Sequence, residues 1–600
     1  MKKPCKSAFI MACLLATACT TAAATPKDAP ASVQQNAGTI VLTAEQATGG
    51  HVIPLSDGTK GITLDKTIKY EWPANFFQWK LPVAIPPGWC HGVVQFGVKD
   101  GDDRGYINNC LGIRSLTPNS PMVNVMNNFG TLKDRRFEFW LYSERPMEGI
   151  RIENIYNLLY YQLKHTWPIT QVVLESVKPS SLTKEDVLCL ELPVKADGTT
   201  SLPAKLFSGI WQLGVPVGAK GTVACLGEDG RAVKMPVGGA NFYMESPLRE
   251  IIFKASPPVK VVTLQNIFFR SKAQSIPPSY SLMATVDTSK IETGELEMIG
   301  AKLTGDAPVF PLLPGGKKTA VLTTWDDGTN WDLRMAEVTH RLGIGATFEM
   351  NHHSPVLGSL DKLEALGAEI GSHSWSHPSL FELPPKEALW ECAAMRQFLE
   401  EKLKHPVISF AYPNGYSRAY DADGDYVLRA VRDSGYWSGR TTATGNEMVD
   451  SISEPMAFKT AGFFGQDKRG LESEWKAIRT KEGGIYHIWG HAHQLGNTDK
   501  QWKEVEDYLA KFAHLPDVWY PTQGEVFTWI WLRKNVQLAV TDKGPNKVSV
   551  KVTRPWLHPY LAGKRPLSLK VSAGVEKVMW QGKEIAIVDG FVELPWAERP

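Results

Sequence analysis

Two carboxylates stand side by side in VLTTWDDGTN, where Asp326 and Asp327 close an apolar run and Gly328 follows. Adjacent like charges repel, so their place at the end of a buried run calls for either a solvated turn or a counter-charge. Further on, GSHSWSH presents His373 and His377 after another apolar run. Two imidazoles and one carboxylate are a common ligand set for a divalent metal, and they leave coordination positions open for water and substrate. The second carboxylate is then free to act as a base on water, and the cation offsets the repulsion within the pair. The spacing of the histidines would put both rings on one face of a helical turn, whereas Pro378 points to a tight turn leaving a strand. Taken singly, the DDG also reads as an ordinary turn and the HxxxH as unrelated histidines. Their position at successive strand ends is what favours chemistry.

The elements that must hold these residues begin after GDAPVFPLLPGGKK (305–318), a Pro/Gly-punctuated linker. TAVLTTW reads as a strand and WDLRMAEVTHRLG as a helix ending at Gly343. GATFEM, AEIGSHS, VISFAYP, AFKTAGFF and GGIYHIWGHA continue as strands, alternating with helical stretches such as SLDKLEALG and WKEVEDYLAKFAHL. In PPKEALWECAAMRQFLEEKLK, Leu389, Cys392, Leu399 and Leu403 share one helical stripe. Repeated strand–helix pairs predict a parallel sheet with barrel-like closure over 318–534, and in such folds the chemistry sits at the carboxyl ends of the strands.

The flanks read differently. From about residue 41 to 304, short alternating runs broken by Gly, Pro and Asp predict strands, as in HGVVQFGVKDGD and VKVVTLQNIFF. A loose internal likeness divides this stretch into two β-sandwich-like domains, 41–190 and 191–304. Period-2 runs such as KVSVKV and LSLKV return in 535–600, predicting a small C-terminal β domain. The expected fold is therefore multidomain, a distorted (β/α) barrel flanked by β domains, as 600 residues exceed a single core.

At the amino terminus, Lys2, Lys3 and Lys6 precede the apolar SAFIMACLLATA, the pattern of an export signal over 1–24, too short to span a membrane. Ala22, Ala23 and Ala24 suit ordinary cleavage. LATAC equally suits a lipoprotein signal with Cys19 as the lipidated residue, and 25–40 would then be a flexible linker. The expected location is exported: periplasmic, secreted or lipid-anchored. Five cysteines lie beyond the signal (Cys90, Cys110, Cys189, Cys225 and Cys392), an odd set with no CxxC pair, so neither a disulfide framework nor a thiolate zinc site is predicted. A single Cys90–Cys110 bridge fits the spacing. A formal charge of +2 gives no reason to invoke nucleic acid or an anionic surface, and no feature points to a protein partner. The 20 Trp residues hint at sugar-binding platforms, with core packing as the alternative.

At the two blocks described first, the sequence resembles the polysaccharide deacetylases, the NodB-like domain of carbohydrate esterase family four. The family's blocks occur here in order as TTWDDG, HSWSH, FAYPNGY, GYWSGRTT and HIWGH. The resemblance implies that Asp327, His373 and His377 hold a divalent metal, often Zn2+ in the family. It implies Asp326 as general base and His491 as general acid. It also implies that the loop of Tyr412, Pro413 and Asn414 offers the Asn414 backbone N–H to the oxyanion. Two positions depart from the family pattern: Asn414 replaces the usual Tyr, and Ala411 replaces an Arg that pairs with the catalytic Asp. Arg440, in YWSGRTT on a later strand end, is the candidate replacement, with a surface charge as the other reading. His487 and His493 share a strand face with His491 and are alternatives for the acid. His352 and His353 follow a strand end and are candidate cleft residues. Trp325, Trp375 and Trp489 are either cleft walls or core. No GxSxG elbow, HExxH motif or phosphate-cradling Gly loop is present. The implied activity is metal-dependent removal of acetyl groups from an acetylated polysaccharide, foremost N-acetyl groups of amino sugars. The alternatives are an O-acetyl (xylan-type) esterase, a non-acetyl C–N amide hydrolase, and a catalytically dead glycan-binding protein.

Overall fold

The computed structural model describes residues 38–63, 76–97, 111–116, 122–125, 136–154, 168–238, 240–267, 280–303, 305–465 and 468–596. The expected signal 1–24, with Cys19, and most of the 25–40 linker lie outside these, as does Cys110. Cys90, Cys189, Cys225 and Cys392 are buried free thiols. Among the described residues no helix is long and apolar enough to cross a membrane.

Strand β1 (Thr319–Asp326) is buried along its whole length. Its threonines stay inside because they are bonded: Trp325 Nε1 donates to Thr323 Oγ1 at 3.0 Å, and that hydroxyl donates to the Gly345 carbonyl at 3.2 Å. Helix α1 (Asp332–Arg341) follows and ends before Gly343, whose φ of 62° is the left-handed turn a helix end favours. The alternation continues with β2 (Gly345–Met350), α2 (Leu360–Ala365), β3 (Glu369–Ser372), α3 (Pro385–Leu403), β4 (Ser409–Ala411) and α4 (Tyr426–Asp433). It runs on through β5 (Ser438–Thr444), β6 (Phe458–Thr460), α5 (Lys468–Ile478), β7 (Gly484–Gly490), α6 (Asp499–Leu509) and α7 (Gln523–Asn535).

Strands β1 to β5 pair in parallel in chain order, β5 pairs with β6, and β7 pairs with β1. Gly462–Phe463, just past β6, pairs in parallel with β7, so the sheet is nearly closed into a barrel. Its amino-terminal end is plugged by the start of α7. There Gln523 N–H donates to Thr347 Oγ1 at 3.0 Å and Gly524 N–H to Glu369 Oε2 at 2.7 Å. The open carboxyl end is left for the site.

The amino-terminal β units correct two expected boundaries. Each has its own apolar core and its own small four-stranded sheet. They are nonetheless joined by one twelve-stranded sheet, and the expected division near Leu190 falls inside the strand Leu188–Pro193. That strand pairs in parallel with Arg136–Ser143 and antiparallel with Val261–Asn266, so it is the seam rather than a gap. The sheet runs on into the barrel region, where Ala419–Asp421 pairs with Asn241 and Phe242. The second correction concerns Val286–Ile299, which belongs to the C-terminal sheet and not to 191–304. It pairs with Lys547–Leu557 and Lys577–Trp580, because Leu296 and Met298 find their apolar partners there. The expected linker 305–318 is docked on the same unit: Val309 bridges to Lys570, and Gly315 N–H donates to Ser568 Oγ at 2.8 Å.

Candidate active site

Asp326 is the last residue of β1 and is buried, 2% exposed. The chain then turns through Asp327 (φ 78°) and Gly328 (φ 58°). Asp is among the few non-glycine residues that tolerate this left-handed region, and a Cβ at Gly328 would strike Ser354. Ser354 in turn donates its hydroxyl to the Asp327 carbonyl at 2.8 Å. After β3, His373 donates its backbone N–H to the Met350 carbonyl at 2.7 Å. Ser374 (φ 61°) and His377 (φ 62°) then make a tight turn instead of a helical one. Helix α3 clamps this turn: Glu391 accepts from Ser376 N–H at 2.7 Å and Ser376 Oγ at 2.6 Å.

These two turns bring ligand atoms of Asp327, His373 and His377 within 4.8 Å of one another. His377 Nε2 lies 3.3 Å and His373 Nε2 3.9 Å from Asp327 Oδ1. His373 Nδ1 lies 2.9 Å from the Ala411 carbonyl, which can only accept, so Nδ1 carries the proton and the Nε2 lone pair faces the cluster. Burial pushes His373 down to about 4, so the ring is a neutral donor at neutral pH. For His377 burial acts downward too, but Asp327 outweighs it and the pKa rises. Burial would raise Asp327; the bonded His377 and the nearby His373 reverse this and hold it far below the usual carboxylate range. Two imidazole nitrogens and an ionised oxygen gathered at one point form a donor set that fits a divalent cation.

Arg440 reaches Asp326 across the barrel, from within β5, third of its seven residues and not at its expected end, to the last residue of β1. Its Nη2 donates to Asp326 Oδ1, and the guanidinium, wholly buried, lies 4.8 Å from the Trp489 ring centre. Burial acts to raise the Asp326 pKa; Arg440 and then His373 outweigh it, keeping the carboxylate ionised. Asp326 Oδ2 lies 3.9 Å from His373 Nε2, facing the cluster.

On the other side of Asp327, His491 Nε2 is 3.7 Å from Oδ2 and part-exposed. His487 is buried, bonded to Thr324 Oγ1 at 3.0 Å and stacked on Phe458, while His493 is exposed beyond the strand. Of the three, His491 alone is both part-exposed and within 4 Å of an Asp327 oxygen.

The FAYPNGY loop divides. Asn414 is exposed with φ 57°, and Pro413 is buried. Tyr412, expected at the substrate, turns its ring into the core and donates its hydroxyl to the Met456 carbonyl at 2.8 Å, so its side chain is structural. Trp325 is core, edge-on to Phe464. Trp375 and Trp489 remain part-exposed, Trp375 stacked on His352 at 3.9 Å, and His353 is exposed. Glu349, Asp332 and Glu391 were not anticipated. All three are buried carboxyls close to the site, and the acid inside the otherwise apolar ATFEM was the one readable signal among them.

Residues 314–436 match the family model described as polysaccharide deacetylase. No curated protein matches the chain. Among solved structures, peptidoglycan deacetylase PdaC from Bacillus subtilis aligns at 17% identity, covering 37% of this chain and 96% of that one, with a TM-score of 0.25. A family 4 carbohydrate esterase from Streptomyces lividans, in complex with acetate, aligns at 15% identity over 33% of this chain and 90% of that one, with a TM-score of 0.24. The Xyl-CE4 domain of a multidomain xylanase from the hindgut metagenome of Trinervitermes trinervoides aligns at 15% identity over 35% and 90%, with a TM-score of 0.25.

Proposed function

With residues 314–436 belonging to the polysaccharide deacetylase family, we propose that this chain is a metal-dependent hydrolase that removes N-acetyl groups from amino sugars of a polysaccharide. The observation that carries the reading is the Asp327–His373–His377 cluster, with the Arg440-bound carboxylate of Asp326 on one side and His491 on the other.

Asp327, His373 and His377 would hold the ion, for which we propose Zn2+. When bound, it supplies a Lewis acid that polarises the acyl oxygen and acidifies water. Arg440 occupies Oδ1 of Asp326 and leaves Oδ2 toward the cluster. There the carboxylate accepts a proton from the water that attacks the acyl carbon. The Asn414 backbone N–H donates to the oxygen as it gains charge. His491, whose Nε2 lies 3.7 Å from the other oxygen of Asp327, delivers a proton to the departing nitrogen. The basic end and apolar run of residues 1–24 support export, with either cleavage at Ala24 or a lipid tether at Cys19; mass spectrometry of the mature amino terminus distinguishes these.

The test is acetate release from a panel of N- and O-acetylated glycans, using metal-stripped protein with and without added zinc, beside Asp326→Asn. Zinc-dependent release from N-acetylated glycans, lost in the variant, is the expected result. Release only from acetylated xylan would make the chain an O-acetyl esterase. Tight zinc binding with no release from any glycan would reject the deacetylase reading.

A further inference from the structure

Glu349 pairs in register with Asp326 on the neighbouring strand. It is fully buried, yet neither carboxyl oxygen has a hydrogen-bond partner among the described residues. Arg440 is equally buried and gives Asp326 only Nη2; its Nε and Nη1 are also without partners. Two buried acceptors and two buried donors are thus left open inside one barrel. Such atoms are normally satisfied, and where no protein group reaches them ordered water does so. Gln523 Oε1, at the plugged end of the same barrel, is a further open polar atom.

The space is shaped for the acid. Glu349 Oε2 lies 2.2 Å from where a Cβ on residue 371 would sit, so glycine at 371 is what leaves room for the carboxyl. Burial drives Glu349 well above the usual carboxylate range, and Arg440 is the charge that opposes this, which supports their proximity.

We propose that Glu349 is a positioning residue: ordered water accepts hydrogen bonds from the Nε–H and Nη1–H of Arg440 that Asp326 leaves free and donates to the Glu349 carboxyl, which so holds the guanidinium against Asp326. The inference deepens the deacetylase reading and rests on it. The effect of Glu349 passes through Arg440.

The experiment uses the full zinc-loaded chain with Glu349→Leu and Glu349→Gln, each in the wild-type and Arg440→Met backgrounds. Glu349→Leu should lower kcat about tenfold to a hundredfold, the range seen when groups supporting a reactive side chain are lost, with KM nearly unchanged. Glu349→Gln, which keeps an acceptor oxygen of the same reach, should recover most of that loss. In the Arg440→Met background Glu349→Leu should have almost no further effect, since its target is gone. Losses that multiply in the double variant, or an unchanged kcat in Glu349→Leu, would overturn the proposal. A crystal structure of Glu349→Leu gives a readout that needs no substrate. A guanidinium shifted from Asp326 supports the assignment; one unmoved on Asp326 rejects it, even if no glycan proves to be turned over.

Discussion

Arg440 and Asp326 meet across the barrel, one from within β5 and one from the end of β1, with both side chains out of water. The pair accounts for the two adjacent carboxylates at the end of β1. Asp326 is balanced by the guanidinium, while Asp327 turns through its left-handed backbone toward the two histidines. A fixed, always-charged fork beside Asp326, the proposed base, keeps its carboxylate ionised where burial acts to protonate it.

Arg440→Met should therefore harm both activity and fold. Removing one member of a buried ion pair leaves the other uncompensated, which costs about 3–5 kcal/mol. Denaturant unfolding should register that loss, and kcat for acetate release should fall more than about a hundredfold as the base loses its ionised form. Arg440→Lys should recover part of the stability but little kcat, because a point charge does not reproduce the fork. Full kcat in Arg440→Met would show that Asp326 does not depend on the pair.

Metal uptake should release a proton near neutral pH, and His377 is its source. In the metal-free protein its pKa lies above 6.5, so a fraction of the rings carries a proton that an incoming ion must displace. His373, held down to about 4, is already neutral and releases none. Affinity for zinc should then weaken as pH falls through the raised pKa of His377, with a slope approaching about one proton per ion. Calorimetric titration in two buffers of different ionisation enthalpy measures the release; heats independent of buffer would contradict it. His377→Ala should remove the proton release and lower affinity together.

Much of this site was legible because its chemistry is local in sequence. Asp326 and Asp327 are neighbours, His373 and His377 lie within one turn, and alternating strands and helices predict the barrel that gathers them. What escaped was long-range. Whether Arg440 reached Asp326 was undecidable from the chain, since the contact spans 114 residues and crosses the barrel. Val286–Ile299 reads as any alternating strand, and its partner Lys547–Leu557 lies far along the chain. Tyr412 sits just past β4, only three residues long and too short for alternation to fix which way the ring points. Glu349 was overlooked because a lone acid in a strand signals exposure unless its neighbours in space are known.

The assignment of the acid rests on exposure and aim, and the three histidines near the end of β7 separate it. His491→Gln should lower kcat by about a hundredfold to ten-thousandfold, the usual worth of a positioned acid, while zinc affinity stays near wild type because no ligand atom is lost. His493→Gln, exposed and beyond the strand, should change kcat by less than about threefold. If His493→Gln proves the more damaging of the two, the acid is His493.

His487 gives a prediction about stability that does not involve catalysis. In the unfolded chain its ring titrates near 6.5. In the folded protein burial, helped by the nearby Arg440 charge, holds it down to about 3. Between those values the unfolded chain binds a proton that the folded chain refuses. The stabilising contribution is thus complete above 6.5 and is lost progressively as pH falls toward 3. At about 1.4 kcal/mol per pH unit the whole window is worth on the order of 4–5 kcal/mol. His487→Leu removes the titrating ring, so its unfolding free energy should fall less steeply than that of the wild type between pH 6.5 and 4.5. Denaturant unfolding of both proteins, metal-free so that ion release does not contribute, gives the two slopes. Parallel slopes would mean that His487 is protonated in the folded barrel. The ring would then donate from both nitrogens, through Nε2 to Thr324 Oγ1 and through Nδ1 to an acceptor of its own.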